Sequence, residues 1–235
     1  METKRKIKFD ASANLTQQCY EQIKNEIVLG HLKQGQKLKI TELKERFSVG
    51  QNPIREALSR LLSINLVTFE ENKGFSVAPI SEAELYDIWE VFLIIELNGL
   101  KLSLQRGDVE WEAKLMAEHH RSISLEKKSD GHFWLLWNEP MYLFHRALIA
   151  GCKSLILLEM QRLIYLKTNR YAYLAYPENP EISNPNFSKS QKEDHKKLVE
   201  LAIKRDIKGV EKLMKNHVND FFENMVSRLK KKKLI

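Results

Sequence analysis

Cysteine is scarce in this sequence, and long apolar runs are missing from it. Only two cysteines, Cys19 and Cys152, occur among 235 residues, and they lie far apart without CxxC spacing. This usage excludes a disulfide framework and a thiolate zinc site, and it fits the reducing cytoplasm. No run of about 18 apolar residues predicts a membrane span, and the polar residues after Met1 do not resemble a signal peptide. We therefore expect a cytoplasmic protein without a membrane partner.

The composition itself is that of an ordinary globular protein. Hydrophobic residues make up 43% and charged residues 29% of the chain, which is enough apolar material for a buried core. A length of 235 residues fits one large or two modest domains, and we take two as the starting point. The net charge of +7 favours a polyanionic partner, although charge alone does not distinguish nucleic acid from an anionic membrane.

Short amphipathic helices are predicted near the start of the chain. Apolar residues at helical spacing indicate a first helix over 15–29, with Gly30 in the position that follows a helix end. A second short helix carries Leu43 and Phe47 on one face, and Thr41 is placed to cap it. The chain therefore opens as a small helical domain.

A tight turn and a third helix follow. Asn52 is predicted to cap this helix, with Pro53 in its first helical position, where proline is well tolerated. Gln51, Asn52 and Arg55 lie outside the expected apolar side, at an end that is free to meet a ligand. Four residues form that buried side: Ile54, Leu58, Leu61 and Leu62.

Two short alternating segments after the third helix predict a β-hairpin. Val67 and Phe69 alternate with polar neighbours as in a half-buried strand, as do Phe75 and Val77, and a basic tip that contains Gly74 separates them. The order helix, helix, turn, helix and hairpin is typical of a winged helix-turn-helix, whose recognition helix enters the major groove while the wing flanks it. We therefore predict a DNA-binding domain over 1–80.

Two blocks in this region resemble a known family. The run Pro-Ile-Arg-Glu-Ala-Leu at 53–58 and the Asn-Lys-Gly wing at 72–74 are similar to the DNA-binding domain of the GntR superfamily, over about residues 15–80. The resemblance implies a double-stranded DNA operator. It places phosphate or base contacts at Lys37, Arg55 and Lys73. Gln51 and Asn52 would read base edges or position the helix, and Gly74 would either allow close approach of the wing to DNA or serve simply as a turn residue.

Two positions depart from the family pattern. Gly50-Gln51 stands where the family usually has Ser-Arg, and Gln34-Gly35 stands where it has Pro-Gly. Because arginine pairs with guanine whereas glutamine suits adenine, Gln51 predicts an altered base preference and an operator richer in A·T. For the surface cations, a purely solvated role stays open as the alternative.

The remainder of the chain is predicted to be helical. A segment rich in proline and asparagine at 176–185 indicates a surface connection between two of the helices. The fold class is therefore mainly α, with a winged helix-turn-helix followed by an antiparallel helical bundle over 81–235. Apolar stripes with a period near 3.6 place the helices at 82–105, 109–127, 132–150, 154–174, 188–204 and 206–231.

Three histidines lie on apolar helical stripes of this second region. His145, His195 and His217 are thus expected to point inward from three different helices. Imidazoles that converge in a bundle can hold a divalent metal such as zinc or nickel, because neutral histidine is the commonest nitrogen ligand. Ordinary buried histidines are the alternative that spacing alone leaves open.

The second region resembles the FadR-like branch of the same superfamily, with its all-helical FCD-type ligand-binding domain, over about 82–230. The resemblance implies that the three histidines bind a metal and that a small carboxylate effector reaches it. The chain departs from that branch where Met141 replaces an aspartate ligand, Phe92 an arginine and Cys152 an asparagine. These less polar residues predict weaker metal binding and a shifted ligand preference. Glu96 matches a glutamate of the branch, and the sequence does not establish whether it reaches the site.

These features favour a homodimeric transcriptional regulator, and among regulators a repressor. Two recognition helices would bind a pseudo-palindromic operator, and a small effector in the helical domain, which also dimerises, would shift operator affinity. A protein of the same fold that binds DNA constitutively or acts as an adaptor is the first alternative, because three polar family positions are lost. A tri-histidine metal-dependent hydrolase is the remote alternative, since the sequence offers no HExxH, nucleophile elbow or paired carboxylate. We therefore predict that the chain is not an enzyme.

Overall fold

The computed structural model describes residues 14–126, 133–176 and 185–235. The chain divides into two compact units, with the boundary between Ile80 and Ser81. Apart from its two end residues, the predicted connection at 176–185 lies outside the described ranges.

The first unit contains three helices followed by a hairpin. α1 spans Leu15–Val28, α2 spans Ile40–Phe47 and α3 spans Gln51–Ser63, and the strands are β1, Val67–Glu70, and β2, Gly74–Val77. α1 begins where the Asn14 side chain accepts a hydrogen bond from the Gln17 amide. It ends just before Gly30, whose φ of +68° favours glycine. The predicted order of a winged helix-turn-helix is confirmed.

The helices of this unit pack around one apolar core. Burial of each such side chain stabilises the unit by about 1.5–3 kcal/mol relative to exposure. Its helical members are at most 4% exposed: Ile23, Ile27, Leu43, Phe47, Ile54, Leu58 and Leu61.

Two capping predictions in this unit are wrong. α2 begins one residue before Thr41, so Thr41 lies inside the helix, and the N-cap residue is Lys39, which makes no side-chain capping bond. α3 has Gly50 as its N-cap, which places Asn52 in the first turn of the helix. Both helices therefore leave amide hydrogens at their N-termini without a side-chain cap, and this exposes donors that can meet an anion.

The hairpin pairs Val67 with Val77 and Phe69 with Phe75 in antiparallel register. The valine pair is 1% exposed, whereas Phe69 is 53% exposed and its ring centroid lies 4.9 Å from that of Phe75. The expected half-buried alternation therefore holds only at the base of the hairpin, because its outer part projects beyond the core. A bridge between Lys37 and Ser76 ties the chain before α2 to the second strand.

The described helices of the second unit begin and end within three residues of the predicted positions. Four of them start at a side-chain cap, where Ser81, Asp108, Ser154 and Asp206 each accept a hydrogen bond from the amide three residues later. The helices are α4, Glu82–Arg106; α5, Val109–Glu126; α6, Phe133–Ala150; α7, Leu155–Ala175; α8, Pro185–Ile203; and α9, Ile207–Lys231.

α4 packs closely against its neighbours because of one small residue. A Cβ at Gly99 would lie 2.9 Å from the Ile149 Cβ on α6 and 3.0 Å from a Leu157 methyl on α7. At the other end of α4, the Lys167 Nζ donates to Glu84 over 2.9 Å, so α4 and α7 run antiparallel side by side. None of the described helices is long and apolar enough to cross a membrane.

Candidate DNA-binding face, histidine cluster and effector cavity

The start of α3 presents a polar face to solvent. Gln51, Asn52 and Arg55 are exposed, while Ile54 and Ala57 from the same turns are fully buried. Leu62 was predicted on the buried side and is 36% exposed, because it lies beyond the edge of the buried stripe. α3 therefore offers two amide-type side chains and one guanidinium at its N-terminal end, the groups that pair with base edges and phosphates.

The two arginines of α3, Arg55 and Arg60, differ in their ion pairing. Arg60 is held by the Glu56 carboxylate at 2.6 Å and by the Gln17 amide oxygen at 3.2 Å. Arg55 forms no ion pair with any residue that the structure describes. Its guanidinium is therefore available to an external anion, whereas that of Arg60 is already paired.

Two lysines lie at the hairpin: Lys73 is between its strands, and Lys37 is in the segment that bridges to Ser76. The Lys73 Nζ lies 2.6 Å from a Glu70 carboxylate oxygen. The pKa of Glu70 is lowered by its hydrogen bond and charge interaction with Lys73 and, more weakly, by the charge of Lys37. Lys37 and Lys73 thus both act on the Glu70 carboxylate, and their charges offset those of Glu70 and Glu71 in the hairpin.

Gly74 occupies a conformation that suits glycine. Its φ is +79°, and no heavy atom lies within 4 Å of the position that a Cβ would take. A side chain at this position would therefore cost backbone strain and not a clash within the unit. The open space beside the backbone is compatible with close approach of a partner.

The three predicted histidines come together in the second unit. His145 on α6, His195 on α8 and His217 on α9 are 6%, 6% and 3% exposed, and one ligand atom from each lies within 4.8 Å of the others. The Nε2 atoms of His195 and His217 are 3.2 Å apart. The rings of His145 and His217 are stacked with centroids 5.5 Å apart. Three helices therefore bring three imidazoles to one point.

Carboxylates lie behind two of these rings. The Nδ1 of His145 is 3.4 Å from a Glu96 oxygen, and the Nδ1 of His217 is 3.4 Å from an Asp194 oxygen. Glu96 is fully buried, and its other oxygen accepts a 2.8 Å hydrogen bond from the Gln161 amide. A carboxylate at Nδ1 fixes the ring orientation and leaves the lone pair of Nε2 available to a metal.

Burial keeps two of the rings neutral at physiological pH. The pKa of His195 lies well below its usual value because of desolvation and, secondarily, the charges of His217 and His145. Desolvation also lowers the pKa of His217, against the opposing effect of its hydrogen bond to Asp194. Neutral imidazole is the form that ligates metals.

This donor set fits a divalent transition metal. With metal–nitrogen bonds of about 2.0–2.1 Å and tetrahedral angles, two ligating nitrogens stand about 3.3 Å apart. The 3.2 Å separation of His195 and His217 is close to that value. Nitrogen-only donors with carboxylates behind them suit zinc or nickel better than magnesium or calcium, which prefer oxygen ligands.

A cavity of about 60 Å³ opens beside the three histidines. It can hold several waters or a small ligand. The remaining residues of its lining are mainly apolar or uncharged polar: Phe92, Met141, Tyr165, Thr168, Asn169, Gln191, Val218 and Phe221.

The positions where the chain departs from the family pattern differ in their relation to this cavity. Phe92 and Met141 line it, whereas Cys152 is fully buried and is not part of the lining. The sequence did not establish whether Glu96 reaches the site, and in the structure its carboxylate lies behind the His145 ring. The sequence does not predict the roles of Asp194 and Gln161. Asp194 contacts His217 and Gln161 contacts Glu96, each on a different helix, so no local spacing links the partners.

Two family models match this chain. The model for bacterial regulatory proteins of the gntR family matches residues 15–77, and the FCD domain model matches residues 87–220. The first match contains α1 to β2, and the second contains all three histidines of the cluster.

Curated relatives match along most of the chain. The chain is 32% identical to the HTH-type transcriptional repressor GlaR of Escherichia coli, over 85% of this chain and 90% of that protein. It is 30% identical to BphR of Paraburkholderia xenovorans, described as an uncharacterized HTH-type transcriptional regulator, over 87% of this chain and 82% of that one.

Solved structures share the fold. E. coli McbR/YncC superposes with a TM-score of 0.73 at 21% identity, covering 92% of this chain and 99% of that one. A GntR regulator from Rhodococcus gives a TM-score of 0.69 at 16% identity over 92% and 99% of the two chains. On the family matches and the curated relatives, this chain belongs to the GntR family of bacterial regulatory proteins, with a C-terminal FCD domain, and is a DNA-binding transcriptional regulator.

Proposed function

We propose that this chain is a ligand-responsive repressor that acts in the cytoplasm as a homodimer on a pseudo-palindromic operator. Residues 1–80 form the DNA-binding domain, and residues 81–235 bind the effector and dimerise. The observation that carries the proposal is the buried three-histidine cluster beside a cavity, in a chain whose α3 leaves Arg55 exposed and without an ion pair to any described residue. The repressor role follows from GlaR, a transcriptional repressor with which the chain shares 32% identity.

At the operator, α3 enters the major groove. Gln51 and Asn52 face base edges, and Arg55 contacts a phosphate or a guanine. Lys73 in the wing and Lys37 in the segment that bridges to it contact the DNA backbone, and Gly74 permits close approach of the wing. The exposure of Gln51, Asn52, Arg55, Lys37 and Lys73 and the open space beside Gly74 support this assignment.

An apolar strip supports dimerisation of the second unit. Val91 and Ile94 on α4 are 43% and 54% exposed, and Met160 and Leu163 on α7 are 54% and 38% exposed. Because α4 and α7 run antiparallel, these four residues lie at matching levels of neighbouring helices. Clustered exposed apolar side chains are typical of protein interfaces, and a second copy matches the two-fold symmetry of a pseudo-palindrome.

The effector binds in the cavity, next to a divalent metal held by the three histidines. When bound, such an ion acts as a Lewis acid that attracts an anionic oxygen of the ligand. Glu96 and Asp194 orient His145 and His217 from behind. The ligand alters operator affinity only as far as it prefers one arrangement of the dimer over another.

A regulatory role is better supported than a hydrolytic one. The nearest buried carboxylate, Glu96, is directed at His145 and Gln161, so it is not placed to activate a water in the cavity. The cavity also argues for sensing over constitutive binding, because a protein that had lost sensing would have no need to keep it beside the cluster.

A salt-dependent DNA titration tests the proposal. The full-length protein first selects its operator from a random duplex pool, and Arg55→Ala is then compared with the wild type on that operator. We expect Arg55→Ala to weaken binding by about 1–3 kcal/mol. Arg60→Ala is the matched control on the same helix, because its guanidinium is already paired with Glu56.

The same titration is repeated after dialysis against EDTA and again after zinc is restored. A change in operator affinity or its ligand response with zinc supports sensing through the cluster. Selective binding that never responds to metal or ligand would indicate a constitutive regulator instead. Equal losses in Arg55→Ala and Arg60→Ala would contradict the proposed base-reading face.

A further inference from the structure

The cavity beside the histidine cluster has a mainly apolar wall. Phe92, Met141, Val218 and Phe221 supply that wall. The Phe92 ring lies 6.5 Å from the His145 ring and 4.9 Å from the Tyr165 ring, measured between centroids. A ligand that reaches the histidines therefore places the rest of its body against aromatic and aliphatic side chains.

The cavity has no cation among its described lining residues that could pair with a second negative charge on such a ligand. Among the described residues of the lining, none is a lysine or an arginine. Arg146, on the same helix as His145, donates instead to the Tyr142 hydroxyl and the Leu158 carbonyl. The carboxylates of Glu96 and Asp194 behind the rings add negative potential. A second carboxylate would therefore lose water without gaining a cation.

The polar part of the lining is uncharged. Thr168, Asn169 and Gln191 line the cavity, and the Thr168 hydroxyl already donates to the Ile164 carbonyl over 2.9 Å. Such groups can hydrogen-bond to one oxygen of a ligand, but they do not neutralise a full charge.

We propose that the effector is a short monocarboxylate with an apolar tail. Its carboxylate faces the three histidines and the metal they hold, and its tail packs against Phe92, Met141 and Phe221. The cavity has room for only a few waters, so it admits a short ligand. This inference rests on the proposed metal and effector site and specifies the ligand class.

Butyrate and succinate are a matched pair of probes, because both have four carbons and they differ by one carboxylate. Each is titrated calorimetrically into the zinc-loaded full-length protein, after a separate titration has measured zinc binding itself. We expect butyrate to bind at least about tenfold more tightly than succinate.

Two variants at one position sharpen the test. Phe92→Arg places a cation in the apolar wall and is expected to reverse the preference towards succinate. Phe92→Leu keeps the wall apolar and is the control that should retain the preference for butyrate. Circular dichroism confirms that each variant is folded before titration.

The outcomes separate this inference from the proposed site. If zinc does not bind, both the metal site and the ligand class are overturned. If zinc binds but succinate binds as tightly as butyrate, or neither probe binds, the ligand class alone is overturned. A preference for butyrate that Phe92→Arg reverses and Phe92→Leu keeps supports the inference.

Discussion

The two units of this chain carry their chemical groups in opposite ways. In the first, Gln51, Arg55 and Lys73 are exposed and come from one short stretch of sequence. In the second, His145 and His217 come from helices far apart in the sequence and are almost completely buried. A face that binds a polyanion needs charges kept in water on a rigid local scaffold, whereas an ion site needs neutral donors that a whole bundle has desolvated.

The largest expected difference between the units concerns metal. Loss of a residue that hydrogen-bonds to a metal ligand weakens metal binding by up to roughly 100-fold. His217→Ala removes a ligand itself, so it should weaken zinc binding by more than that. Calorimetric zinc titration of the purified full-length protein measures the loss. His120→Ala, which changes an exposed histidine outside the cluster, is the matched control. Similar zinc affinity in His217→Ala and the wild type would contradict a metal role for the cluster.

The next contrast is in the pH dependence of stability. Burial lowers the pKa of His195 and His217 below 6.5, so the unfolded chain binds more protons than the folded one below that pH. The contribution of these neutral histidines to the free energy of unfolding is complete above pH 6.5. It is lost as the pH falls from 6.5 towards their pKa values in the folded state. Each unit of pKa depression corresponds to about 1.4 kcal/mol.

Urea unfolding of the metal-free protein measures this effect in the second unit alone. All four tryptophans lie beyond Ser81, so their fluorescence reports that unit. We expect the free energy of unfolding to fall between pH 7 and pH 5.5, and His195→Gln to flatten the dependence. A wild-type stability independent of pH in this window would show that the histidines are not desolvated.

The two units also differ in how much could be read from sequence. The exposure of Gln51 and Arg55 and the turn at Gly74 follow from the local order of residues, because helix periodicity and turn chemistry act over a few residues. The convergence of the histidines followed only from apolar stripes and resemblance. The starts of α2 and α3 were less predictable. Thr41 and Asn52 have side chains that can cap a helix, but each helix begins one residue earlier, so both residues lie inside it.

The sequence could not identify the groups that act across helices. Asp194 precedes His195 in the chain but lies beside His217, and Gln161 supports Glu96 from another helix. Such pairs depend on how helices pack, and no period within one helix contains that information. The apolar character of the cavity was partly visible in Phe92 and Met141, and its full lining required the fold.

The stability of the first unit depends on an ion pair that is largely buried. Arg46 on α2 lies 2.5 Å from the Glu26 carboxylate on α1, and the two side chains are 25% and 5% exposed. Arg46→Ala leaves the buried charge of Glu26 without its cation and should destabilise the unit by about 3 kcal/mol, the lower end for such pairs because Arg46 is partly solvated. Hydrogen exchange of the α1 and α2 amides measures this loss.

The double variant Glu26→Leu with Arg46→Met is the control for that prediction. Since it removes both charges together, it should recover most of the lost stability. If the double variant is as unstable as Arg46→Ala, packing and not the unpaired charge explains the loss.

Base preference at the start of α3 is the next smaller effect. Gln51→Arg should shift the selected operator from A·T towards G·C at one position, because arginine pairs bidentately with guanine, by about 1–3 kcal/mol. Selection from a random duplex pool with each protein measures the shift. Gln17→Arg, on α1 outside the proposed face, should leave the selected sequence unchanged. Unchanged selection by Gln51→Arg would remove Gln51 from the base-reading residues.

The smallest expected effect is at the wing. Lys73 and Glu70 are 67% and 62% exposed, so solvent screens their ion pair and it contributes little to stability. At DNA, however, Lys73→Ala should weaken binding about equally on all sequences and reduce the slope of log affinity against log salt by about 1. Lys153→Ala is a matched control, because Lys153 is 57% exposed and paired with Asp108 in the second unit. If both variants keep the wild-type slope, the wing does not contact the phosphate backbone through Lys73.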